Sequence, residues 1–164
     1  MTAVLFLDVD GVLNSARWLR AGHMKQAPNA EHFDPAACAR LERIIAATGC
    51  DLVLSSSWRI IATTQEIAEI LHARGCPSAR FLGDTPHWRT VTSGAIVGAH
   101  DRRGSEIQEW LDAHPEHRPF VILDDSDDMG PLLPRLVRTT WEDGLQDREV
   151  REAIGMLGAP EYWG

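Results

Sequence analysis

Short apolar runs alternate with amphipathic stretches along the whole chain. "VLFL" (4–7) is uninterrupted, as in a strand covered on both faces of a parallel sheet, and it stops at Asp8-Val9-Asp10-Gly11. A loop of about twenty residues follows, long for a connection between a strand and a helix and therefore suspect as functional. Asp34 and Pro35 suit an N-cap and first helical position for "PAACARLERIIAATG", with Gly49 as the stop. "DLVLS" (51–55) reads as a second buried strand, and Thr63 or Thr64 opens the helix "TQEIAEILHARG". "RFLG" (80–83) fits a short third strand, with an irregular stretch to about residue 102. "SEIQEWLDAH" is helical by pattern, with Ser105 at its start. "FVILDD" (120–125) has the form of the first strand, an apolar run ending in acids. "RLVRTT" gives a fifth strand and "QDREVREAIGMLG" a last helix.

This βαβα alternation implies an α/β fold: a five-stranded parallel sheet with helices on both faces. Ligands of such sheets lie beyond the carboxyl ends of the strands. Asp8, Asp10, Ser55, Asp124 and Asp125 all fall at such ends, so the fold should gather them at one edge.

Composition narrows the picture. The chain has 164 residues, enough for one domain with a proper core; 44% are apolar and 24% charged. No apolar segment approaches membrane-spanning length, and "MTAVLFLDVDG" does not read as a signal peptide. Cys38, Cys50 and Cys76 are odd in number and form no CxxC pair, as expected of reduced thiols in a cytoplasmic protein. A net charge of −8 argues against a general nucleic-acid coat protein. The charge is uneven, however. The loop 15–33 holds Arg17, Arg20 and Lys25 before its first acid, Glu31, and is expected to rise over the carboxyl edge, where it would attract an anionic substrate.

Several carboxylates at one edge repel each other unless a cation sits among them, and an all-oxygen set of this type suits Mg²⁺. Such a site commonly holds a phosphate. Ser55 and Ser56, with their backbone amides, can donate to phosphate oxygens, and Arg102 or Arg103 can supply a cation beside a helix N-terminus. His23, His87 and His100 lack ligand spacing and read as surface histidines. Trp18, Trp58 and Trp88 read first as packing residues, with base stacking as the alternative.

These residues carry a resemblance. "DVDGV" (8–12) looks like the first motif of the haloacid dehalogenase (HAD) superfamily of phosphohydrolases, and "LVLSS" (52–56) resembles its second. Arg102 or Arg103 suits the third motif, usually Lys, and "ILDDSDD" (122–128) resembles the fourth. More narrowly, "LDVDGVLN", "LSSSWR", "GDTP", "RGSEIQEWL" and a late "DGL" resemble the small capless HAD domain of the Swiss Army Knife RNA repair type.

The resemblance implies a Rossmann-like sheet with no folded cap, one domain over 1–164, and a flap at about 11–34. It implies a Mg²⁺-dependent phosphomonoester hydrolase working through an aspartyl-phosphate. Asp8 would be the nucleophile and Asp10 the general acid and base. Asp8, the Asp10 carbonyl and Asp124 would hold the metal, with Asp125 preferred over Asp128 as the supporting acid. Ser55, Ser56 and an arginine, Arg103 preferred, would hold the phosphoryl group. The expected substrate is a phosphorylated one, with a nucleotide or polynucleotide end favoured by the basic loop and its tryptophan. A non-catalytic binding module for phosphorylated nucleic-acid ends is the rival; a receiver domain is disfavoured because it carries its acidic pair and acceptor Asp in the reverse order. Oligomerisation is not indicated.

Overall fold

The computed structural model describes residues 2–23, 30–87 and 102–158. Lys25, Trp88 and His100 lie outside them. Five strands, β1 (Val4–Leu7), β2 (Asp51–Leu54), β3 (Phe81–Asp84), β4 (Phe120–Asp124) and β5 (Leu136–Arg138), form one sheet in the order β3-β2-β1-β4-β5. Every pairing is parallel. The five expected strands are all present, each within a residue or two of its expected ends.

Alternation along β1 divides the core in two. Leu5 and Leu7 face a cluster completed by α2 (Pro35–Thr48), α3 (Thr64–Ala73) and α5 (Asp147–Leu157). Val4 and Phe6 face the other side, covered by α4 (Arg102–Ala113) and the 3₁₀ turns of Gly130–Arg135. All four residues of β1 are fully buried, which is why its sequence shows no polar alternation.

Helix ends follow their expected chemistry with one exception. The Asp34 carboxylate accepts from the Ala36 N–H, Pro35 takes the first turn, and Gly49 ends α2 in the left-handed conformation. Thr63 and Glu66 form a capping box on α3. The exception is α4, which begins at Arg102 and not at Ser105. Asp128 supplies its cap from outside the helix: its carboxylate accepts from the Arg103 N–H at 3.3 Å and its carbonyl from the Gly104 N–H at 2.9 Å. A cap contributed from 25 residues downstream leaves no local signal.

The connection from β1 to α2 has internal order. A helical turn, α1 (Ala16–Trp18), is capped by the Ser15 hydroxyl, and a 3₁₀ turn spans Ala30–His32. The turn after β5 docks on it: the Ala16 N–H donates to the Trp141 carbonyl at 2.8 Å and the Leu145 N–H to the Val12 carbonyl at 2.9 Å. Gly144, with φ +66°, lies where a Cβ would come 3.0 Å from that same Val12 carbonyl. The late "DGL" is therefore the seat of the loop. No folded cap interrupts the sheet among the described residues, and no helix among them is long and apolar enough to cross a membrane.

Candidate active site

Register places the acids. Leu7 is level with Leu54 on one side and Leu123 on the other, so Asp8, Ser55 and Asp124 follow side by side. The backbone carries the alignment one residue further: the Ser55 N–H donates to the Leu7 carbonyl at 2.9 Å and the Asp8 N–H to the Leu123 carbonyl at 3.0 Å. Asp8, Asp124 and Asp125 each offer an oxygen within 4.8 Å of the others.

Burial makes this grouping costly. Asp8 is 6% exposed and Asp124 1%. Burial pushes the Asp8 carboxyl up to about 6, against the pull of the Arg103 charge and of hydrogen bonds from the Val9 N–H and the Ser56 hydroxyl. Asp124 is raised well above the ordinary carboxylate range, by burial first and then by the Asp8 charge. Asp125 is raised too, by burial with the Asp10 charge adding to it.

One cation answers them. Arg103 Nε lies 3.4 Å from Asp124 Oδ2, and its side chain is only 19% exposed. Burial alone would weaken its proton affinity, but Asp8, Asp124 and Glu106 reverse the sign and hold its pKa above the usual value. Arg102, one residue earlier, is exposed. Of the two candidates for the third motif, Arg103 is the one at the acids.

The acidic run after β4 divides in the same way. Asp125 joins Asp8 and Asp124, whereas Asp128 caps α4 and accepts from the Ser126 hydroxyl at 2.7 Å. Asp127 pairs with Arg138 at the surface. Gly11, with φ +80°, belongs to the same corner: a Cβ there would come 2.4 Å from Asp125 Oδ2. The glycine of "DVDG" thus leaves room for the carboxylate.

Ser55 and Ser56 behave differently from one another. The Ser55 hydroxyl is buried and has no hydrogen-bond partner among the described residues. Ser56 is fully buried, and its hydroxyl is engaged: it accepts from the Trp58 N–H and bonds Asp8. The Ser56 hydroxyl thus caps the turn Ser57–Ile60, whereas the Ser55 hydroxyl stands without such a role.

Asp10 is half-exposed at the mouth. Its Oδ1 accepts from Asn14 Nδ2 at 2.9 Å and from the Trp58 indole Nε1 at 3.1 Å, with His32 Nε2 3.9 Å away. Trp58 itself is buried against Phe33 and His32, in keeping with its packing reading. Behind Arg103 stands a second buried pair. Arg59 Nη2 meets Glu106 Oε1 at 2.9 Å, its Nη1 donates to the Ser56 carbonyl at 2.9 Å, and Glu106 Oε2 reaches Arg103 Nη1 at 3.5 Å. These residues tie the Ser55–Ser56 loop to α4. Their letters stand inside "LDVDGVLN", "LSSSWR" and "RGSEIQEWL", yet nothing in one sequence says that Trp58 would reach Asp10 or that Arg59 would reach Glu106.

The arginines of the basic loop have partners within the chain. Arg17 pairs with Asp143 at 2.7 Å and Arg20 with Glu142, both at the surface. Trp18 stacks on His23 with ring centroids 3.5 Å apart. Both arginines meet the turn on which the loop is seated and remain exposed there.

The donor set fits Mg²⁺: three carboxylates with oxygens within 4.8 Å of one another, and a glycine that makes room for one of them. No curated protein and no solved structure gives a match to the chain. One family model does, over residues 4–150, and its description is "HAD domain in Swiss Army Knife RNA repair proteins". That span holds every strand and all four motif positions, and the chain therefore belongs to this family of HAD domains.

Proposed function

We propose that the protein is a Mg²⁺-dependent phosphomonoester hydrolase acting through an aspartyl-phosphate on Asp8. The family carries phosphoryl-transfer chemistry. The observation that supports the finer reading is the buried set of Asp8, Asp124 and Asp125 facing Arg103, with the unpartnered Ser55 hydroxyl beside it.

Each residue has a role in this reading. The Asp8 carboxylate attacks phosphorus, and the bond from phosphorus to the leaving oxygen breaks. Asp10 gives its proton to that oxygen and then takes one from the water that cleaves the acyl phosphate. The Ser55 hydroxyl, the Ser56 backbone N–H and the Arg103 guanidinium hold the phosphoryl oxygens as charge spreads over them. Asp8, the Asp10 carbonyl, Asp124 and Asp125 would hold Mg²⁺. Bound there, the ion neutralises phosphate charge and the repulsion among the acids. Asn14 and Trp58 tether Asp10 by one oxygen and leave the other for the leaving group.

The whole chain, 1–164, serves as one such domain, with 11–34 as a flap whose first part, residues 11–20, is seated on the turn after β5. The three buried free cysteines support a reducing, cytoplasmic setting.

Phosphate release from an aryl phosphate and from 3′- and 5′-phosphorylated oligonucleotides, with Mg²⁺ and with EDTA, tests the reading. Release that needs Mg²⁺ and vanishes in Asp8→Asn is expected. Release unaffected by EDTA would overturn the metal's part.

A further inference from the structure

One carboxylate of α4 has no part in the reaction proposed above, yet it is linked to both elements that hold the phosphoryl group there. Glu106 is 2% exposed and stands one helical turn after Arg103. Its Oε1 lies 2.9 Å from Arg59 Nη2 and its Oε2 3.5 Å from Arg103 Nη1. The Arg59 side chain is buried as well, and its Nη1 donates to the Ser56 carbonyl at 2.9 Å. Arg103 Nε in turn faces Asp124 Oδ2. A single carboxylate thus connects the cation of the site to the segment that carries the Ser55 hydroxyl.

The arrangement depends on side-chain chemistry as well as shape. Arg59 and Arg103 repel each other, and the Glu106 charge between them offsets that repulsion. A carboxylate accepts on both oxygens, whereas an amide accepts on one and turns N–H groups toward the second guanidinium. Arg59 uses two arms of its fork, one on Glu106 and one on the Ser56 carbonyl, which the point charge of a lysine does not reproduce. We propose that Glu106 is a positioning residue for phosphoryl transfer, fixing the Arg103 guanidinium directly and the Ser55–Ser56 segment through Arg59. The proposal rests on the function proposed above for where the phosphoryl group lies, and adds the group that sets the two sides of its cradle relative to each other. A misplaced Arg103 or Ser55 weakens contacts to charge that spreads in the transition state.

The test is a pair of mutant cycles on the full chain, one in turnover and one in binding. With an aryl phosphate and Mg²⁺, Glu106→Gln should lower kcat of the folded protein about tenfold to a hundredfold. Glu106→Asp, which keeps the charge, should lie between Glu106→Gln and wild type. In an Arg103→Ala background, Glu106→Gln should cost at least about threefold less, because one of its two routes to the phosphoryl group is gone. Thermal melts establish folding; where Glu106→Gln is unfolded, Glu106→Asp carries the same cycle. Calorimetric affinity for inorganic phosphate with Mg²⁺ gives the second cycle, which needs no turnover and should show the same coupling. Full kcat in folded Glu106→Gln would overturn the proposal, as would equal losses in both backgrounds, the result of a merely structural role. Coupled phosphate affinities without hydrolysis of any phosphomonoester by wild type would retain the positioning role and contradict the proposed phosphatase. Wild-type hydrolysis with no coupling in either cycle would do the reverse.

Discussion

Asp8 is buried beside two other carboxylates, and its proton affinity records that cost. With its carboxyl at about 6 in the folded state against 3.8 ordinarily, the metal-free protein holds a proton there that the unfolded chain gives up. Between about pH 4 and 6 the folded state therefore binds more protons, and stability falls as pH rises through that window. Asp124 and Asp125, also raised by burial, act in the same direction. In the metal-free protein, Asp8→Asn should thus be more stable than wild type at pH 7, by on the order of 2–3 kcal/mol, with the gain shrinking toward about pH 4. Urea denaturation at several pH values checks it, and a gain independent of pH would contradict it. Asp10 offers a second prediction. Trp58→Phe keeps a ring against Phe33 and removes the N–H that tethers Oδ1. It should lower kcat roughly tenfold for alkyl phosphates, which need a proton on the leaving oxygen, and less for aryl phosphates. Equal losses would make Trp58 a packing residue only. The acids themselves were legible because ending a buried run in two carboxylates is costly unless a cation or ligand meets them. The tether was not, since Trp58 and Asp10 are 48 residues apart and meet only in the fold.

At the scale of elements, α4 carries the cation and its first turn decides where the cation stands. A Cβ on Gly104 would come 2.1 Å from the Met129 carbonyl, so backbone would meet side chain with nothing flexible to yield. Gly104→Ala should displace the start of α4 from the loop after β4, costing about 1–3 kcal/mol and lowering kcat/KM through Arg103. Thermal melts and an aryl phosphate assay check it; an unchanged melt would mean that the two elements are not in contact. This helix also shows where sequence reading stops short. The sequence pattern starts the helix at Ser105, but it begins at Arg102 because the cap comes from Asp128. The consequence runs both ways: Asp128 is spent on the helix and is not among the clustered acids, and Arg103 lies inside the first turn. Strands were read more closely than helix starts because an apolar run is a local signal and a remote cap is not.

For the whole molecule, the sheet order β3-β2-β1-β4-β5 sets the motif-bearing strands β2, β1 and β4 side by side, so the site needs no cap to be assembled. The acids repel one another when metal-free, so Mg²⁺ should raise the melting temperature by linkage, and Asp124→Ala should abolish that rise. A melt that ignores Mg²⁺ in wild type would contradict the metal site. The alternation of strand and helix signals was enough to read this architecture, because each buried strand announces itself. The docking of residues 11–20 on the turn 139–145 was hidden: Thr139 Oγ1 donates to the Gly11 carbonyl at 2.6 Å across 128 residues. The ion pairs of Arg17 and Arg20 were hidden too, because the acids they meet lie on that remote turn. The claim that joins all three scales is that Asp8, at the end of the central strand, becomes covalently phosphorylated. Rapid acid quench of the wild-type protein mixed with Mg²⁺ and a phosphomonoester carrying radioactive phosphate measures this directly. The expected result is transient label on the protein, stable to acid, released by hydroxylamine and absent from Asp8→Asn. Hydrolysis at the wild-type rate by Asp8→Asn, with no label on either protein, would contradict it.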